Sequence, residues 1–200
     1  MRPRAGHAMK GEDEMGKRSG SSAKVLAPAT FWRRGAAFAF DWYVGALATS
    51  LPIAFVASMQ GREVTDQLIS TFAAPYGLYA GIAGLLAGLV YYAVVPMACA
   101  GQTLGKRLLH VRIVAVGGGE ASPVALAVRQ VLGMMLIEGA AVGTSTVIRG
   151  LVEIATGSIL PTWAYAVSFA ITLASVALFA FRRDGRALHD LLAGTMVVDA

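Results

Sequence analysis

Cysteine and charge are what this sequence has least of. One cysteine, Cys99, stands among 200 residues. Without a partner it forms no disulfide within the chain and no cysteine-based metal centre. Charged residues make up 14% of the chain and hydrophobic ones 56%, where a water-soluble domain carries about 25% charged positions. A soluble core of this size cannot hide so much apolar surface. Also missing are a nucleophile with its base, a metal-ligand set and a cofactor motif. The segment GQTLGK at 101–106 has the wrong spacing for a GxxxxGK[ST] phosphate loop, and no nucleotide fold follows it. These absences argue against an enzyme and against a bound cofactor or metal. The formal charge of +5 does not indicate nucleic acid, because the basic residues flank apolar blocks instead of forming one basic face.

What the chain has is long apolar runs. Residues 1–27 are rich in Gly, Ser, Lys and Arg and lack apolar periodicity, which predicts a disordered basic tail. Residues 28–200 form the membrane domain. Its spans are expected at about 35–58, 76–100, 129–150 and 162–181, each long enough for a hydrocarbon core of about 30 Å. The first begins too late in the chain, and carries Asp41, which argues against a cleavable leader. Ser122 followed by Pro123 has the cap-then-proline order of a helix start. The fold class read from this pattern is all-α transmembrane, a four-helix bundle.

Charge gives the bundle a direction. Fifteen of the 17 Lys and Arg lie in the N-terminal tail through Arg34, in the loop between the second and third spans, and after the fourth. The two remaining connections hold one each, Arg62 and Arg149. An even number of spans then puts both termini in the cytoplasm, as the positive-inside rule requires.

Few ionisable groups interrupt the spans. Asp41 lies about 10 Å deep, seven residues inside its run, where an unpaired carboxylate costs roughly 2.5–3.5 kcal/mol. Glu138 sits near the middle of the third span beside Gly139. Asp41, Glu138 and Asp190 are candidate ion or proton sites, and each has a structural alternative as a hydrogen-bonded clamp between helices. Arg34 is two helical turns from Asp41, too far for an easy direct pair; an Arg34–Asp190 contact across helices is the favoured expectation. Gly81, Gly84 and Gly88 on the second span predict close helix packing.

Between the second and third spans, Thr103 is placed to cap a short interfacial helix. Leu104, Leu108 and Leu109 would face lipid while Lys106 and Arg107 reach anionic headgroups, as would Arg182 and Arg183 after the fourth span. Val111–Val116 and Thr195–Val198 read as short strands able to pair at the cytoplasmic surface.

The segments RRGAAFAFDWYV, GQTLGKRLLHVRIV and RALHDLLAGTMVV, in this order, resemble the signature segments of the RDD family of small bacterial membrane proteins. The resemblance spans roughly residues 30–198. It implies that Arg34, Asp41 and Asp190 are the arginine and two aspartates of the family's name, with Arg33 a competitor for the arginine and Gly101–Arg107 a further signature. It implies a location in the bacterial inner membrane, and transport is the activity usually suggested, with cation/proton antiport reported for some relatives. Two functions are therefore open: a transporter or transporter component, expected to be a homo-oligomer, and a non-catalytic accessory subunit of a larger membrane complex.

Overall fold

The computed structural model describes residues 27–140 and 142–200; the basic tail expected at 1–27 lies almost wholly outside them. Among the described residues three continuous helices are long and apolar enough to cross a membrane, or four if a bent pair is counted as one span.

Helix α1, Phe31–Met59, buries Arg34, Ala37, Asp41, Gly45, Thr49, Ile53 and Ala57, a row spaced three or four residues apart. Small and polar side chains face inward, while Phe38, Trp42, Leu51 and Phe55 point out. This reverses the pattern of a soluble helix. In lipid the outer face gains nothing from being polar, and small residues let backbones approach closely. Helix α2, Tyr76–Ala98, does the same with Gly77, Ala80, Gly81, Gly84 and Gly88. A Cβ at Gly84 would lie 2.9 Å from the Thr49 carbonyl oxygen of α1, so this contact requires glycine. Ile69 and Phe72, from the α1–α2 connection, join Ile53, Ala57, Ala80 and Val147 in the core away from the charged end.

After α2 come the short helix α3, Leu104–Leu108, and strand β1, Val111–Ala115. Helix α4, Pro123–Glu138, starts as the sequence indicates: Ser122 accepts the Ala125 N–H at 3.1 Å and Pro123 occupies the first turn. From Val128 onward it is wound as a π-helix.

The third span is not the continuous helix expected at 129–150. Gly139 takes a left-handed conformation (φ +60°), and α5, Gly143–Thr156, leaves at 63° to α4. The break is tolerated because side chains satisfy the freed carbonyls: Ser145 donates to Met135 (2.8 Å), Thr172 to Glu138 (2.5 Å) and Arg149 to Gly139 (2.8 Å). Arg149 is thus part of α5, half-buried over the Tyr165 ring, and not a loop charge. Helix α6, Thr162–Phe181, is peripheral and buries only Ser175. The short helix α7, Leu188–Ala193, ends at left-handed Gly194 and leads into strand β2, Thr195–Asp199.

The two strands pair antiparallel, with Val111 opposite Asp199 and Ala115 opposite Thr195. Ala29, just before α1, donates its N–H to Val197. The sheet, α3, α7 and the charged ends of α1, α4 and α6 therefore gather at one end of the molecule.

Candidate functional site

At that end Asp41 is 2% exposed and fully engaged. Lys106 Nζ lies 2.8 Å from Oδ2, the Gly105 N–H donates to Oδ1 at 2.8 Å, the Tyr91 hydroxyl donates to Oδ1 at 2.8 Å, and the Thr103 hydroxyl donates to Oδ2. The segment Thr103–Lys106 thus closes around a carboxylate belonging to another helix. Thr103 makes no cap with its own side chain; Asp41 supplies the cap to α3 from outside. Close approach depends on Gly105, where a Cβ would meet the Ala37 carbonyl oxygen at 2.5 Å and Asp41 Oδ1 at 2.8 Å.

Lys106 does not reach the headgroups. It is buried, because the turn that points Arg107, Leu104 and Leu108 outward points Lys106 at Asp41. Leu109 is also turned partly inward, against the core around Val111 and Ile113. Burial pulls the Lys106 ammonium below its ordinary pKa, Asp41 opposes this, and nearby Arg129 adds to the downward pull.

Asp190, 1% exposed, anchors the second cluster. Arg129 Nε donates to Oδ1 at 2.9 Å, the Thr195 hydroxyl donates to the same oxygen at 3.1 Å, and Arg34 Nη2 stands 3.5 Å from Oδ2. Arg34 therefore faces Asp190, not Asp41. Burial opposes ionisation of Asp190, but Arg129 and Arg34 outweigh it and hold its carboxyl well below the usual range.

His189 carries the cluster on to Glu138. Its Nε2 lies 3.1 Å from Arg129 Nη2, which can only donate, so Nε2 accepts and Nδ1–H donates to Glu138 Oε1 at 2.8 Å. The same oxygen accepts the Ser175 hydroxyl (2.7 Å) and the His189 N–H (3.1 Å). Glu138, the last residue before the break, is thereby tied to α6 and α7 together.

Both clusters border one cavity of about 150 Å³, lined by Arg34, Asp41, Lys106, Arg129, Gln130, Glu138, His189 and Asp190 among others. Three carboxylates, Asp41, Glu138 and Asp190, face Arg34, Arg129 and Lys106. Among the described residues no group of three or more His, Cys, Asp or Glu is placed to hold a metal ion.

The RDD family model matches residues 28–194, the stretch that contains every charged group of the two clusters. The chain belongs to the RDD family. A relative in Bacillus subtilis (strain 168), described as uncharacterized protein YckC, is 27% identical over 178 residues, covering 88% of this chain and 87% of its own. No solved structure matches. With family and apolar spans together, this RDD protein is an integral membrane protein.

The positions that resemblance assigns to the RDD letters, Arg34, Asp41 and Asp190, all border the cavity, although Arg34 and Asp41 do not touch. Arg33 instead faces outward, paired with Asp199 at 2.7 Å. Arg182 bonds Asp184 at 2.9 Å, and Arg183 is exposed. Sequence reasoning missed Arg129, Gln130, Thr103, Tyr91 and Ser175 as parts of the RDD site. Arg129 had a readable signal: it follows the Ser122–Pro123 start by two turns and so lies within the helix, not in the loop before it.

Proposed function

We propose that this RDD protein is a non-enzymatic transporter, or a component of one, that exchanges a cation for a proton across the bacterial inner membrane. This reading places both termini in the cytoplasm, in line with the distribution of the basic residues. The observation that carries the reading is the cavity itself, where Asp41 and Glu138 flank water-sized space beside a break in the third span. Broken spans and intramembrane carboxylates are recurrent in ion pathways.

Charge balance sets the chemistry. The lining is neutral with its carboxylates ionised and its cations protonated, so an entering monovalent cation must be offset by loss of one proton. Lys106 is the group that gives it up, because burial already weakens its hold. The cation takes the place of the ammonium on Asp41, Lys106 becomes neutral, and the proton leaves. A chain with four spans works as a homo-oligomer or beside partner membrane subunits.

Purified protein in proteoliposomes tests this. Flux driven by an imposed pH gradient should be present for the natural chain and lost in Asp41→Asn, with Glu138→Gln strongly impaired. A natural chain that neither acidifies nor exchanges cations under either gradient would end the reading.

A second reading has its own support. Every carboxylate in the cavity already has several donors, as a permanent brace requires, and α6 buries only Ser175, leaving its length to contact another chain. In that case the protein is an accessory subunit, and pull-down from native membranes recovers a stoichiometric membrane partner.

A further inference from the structure

Arg34 is poorly satisfied for a buried cation, although it stands over the Phe179 ring at 4.8 Å. It is 7% exposed, yet its Nε is buried without a partner, Nη1 reaches only the Asp184 carbonyl at 3.5 Å, and Nη2 reaches Asp190 at 3.5 Å. A buried guanidinium normally makes several shorter bonds, and leaving its donors unpaired is costly.

Arg34 is also a wall between two spaces. On one side is the cavity described above. On the other is a pocket of about 250 Å³ at the rim, bounded by Arg34, Arg182, Arg183 and Asp184. Arg183 has no ion-pair partner among the described residues, Arg182 is paired with Asp184 at 2.9 Å, and Arg34 reaches Asp190, outside this pocket, at 3.5 Å. The pocket therefore keeps an excess of positive charge.

The inner cavity, for its part, is not closed toward the bilayer. Helices α1 and α6 scarcely touch below the stacked rings of Phe31 and Phe179, whose centroids are 4.8 Å apart. The cleft beneath that stack is lined by Gly35 and Phe38 from α1 and by Val176 and Phe179 from α6. Phe179 and Arg34 border both spaces, so a cationic pocket adjoins an apolar slot between two spans.

We propose that this end of the molecule holds one anionic phospholipid, its phosphate in the pocket of Arg34, Arg182 and Arg183 and one acyl chain in the α1–α6 cleft. A soluble phosphate would use the pocket and leave the slot without purpose; the adjacency of the two across Arg34 and Phe179 selects a lipid. Such a lipid satisfies the donors of Arg34 and fills the weakest seam of the bundle. The proposal stands apart from ion exchange, since binding is read without any flux.

Native mass spectrometry of the full chain, released from nanodiscs of equal phosphatidylglycerol and phosphatidylethanolamine, tests it. The natural chain should retain one phosphatidylglycerol. Arg183→Gln, at an exposed position that folding does not depend on, should lower the retained fraction about fivefold. Val176→Phe, which narrows the slot from its lipid-facing side, should lower it as well. Retention unchanged in both variants, or no lipid retained by the natural chain, overturns the proposal. Displacement of the lipid by millimolar inorganic phosphate also overturns it and makes the pocket a soluble-anion site.

Discussion

Asp41 and Asp190 are buried at the same end of the molecule, one on a membrane span and one on a short helix, and they are neutralised in different ways. Asp41 has a single cation, Lys106, supplemented by two hydroxyls and a backbone N–H. Asp190 is shared by two guanidiniums and linked through His189 to a second carboxylate. The first arrangement depends on one residue and so can change state when that residue changes its proton. The second distributes its charge over several permanent cations and can lose a member without losing its sign. A carboxylate held by one ammonium and a carboxylate held by two guanidiniums are thus built side by side.

The sharpest way to break this contrast is to remove the lone cation. Lys106→Met leaves Asp41 buried and unpaired and should destabilise the protein by about 3–5 kcal/mol in detergent unfolding. Adding Asp41→Asn should return much of that loss; a double variant no more stable than the single one contradicts the pairing. Next in size is Ser175→Ala, which takes a hydrogen bond from Glu138 and leaves the Leu188 N–H without its acceptor. Loss of a bond to a charged group predicts about 1.5–3 kcal/mol, and thermal unfolding should show it. Gly105→Ala pushes α3 off its seat on α1 and should cost about 1–3 kcal/mol, with solvent exchange at the Gly105 amide rising in parallel. Smallest is Arg33→Ala. Its partner Asp199 is half-exposed, so less than about 1 kcal/mol should be lost. A larger loss there would mean that the outward arginine, not Arg34, does the work at this end.

Much of this was readable in advance. The apolar stretches, the Ser122–Pro123 helix start, the two strands and the Arg34–Asp190 contact follow from hydropathy, capping chemistry and charge complementarity. The break at Gly139 was hidden because Gly139–Gly143 is small and apolar, so hydropathy runs through it unaltered; only the donors that cap the open carbonyls, from α5 and α6, make a bend affordable. Lys106 was hidden for another reason. It and Arg107 are adjacent on a short helix and point about 100° apart, so one must face in and the other out. Which does so depends on where Asp41 lies in space, and that is settled by the packing of α1 on α3.

The position of Asp190 near the end of the chain has a consequence for biosynthesis. Arg129 enters the assembly 61 residues before the carboxylate that neutralises it, an interval of about 3–12 s at roughly 5–20 residues per second. During that time Arg34 and Arg129 lack the carboxylate they share in the complete fold, whereas Lys106 and Asp41 are already able to pair. A nascent chain without the helix that carries Asp190 therefore holds Arg34 and Arg129 without the carboxylate they share in the fold.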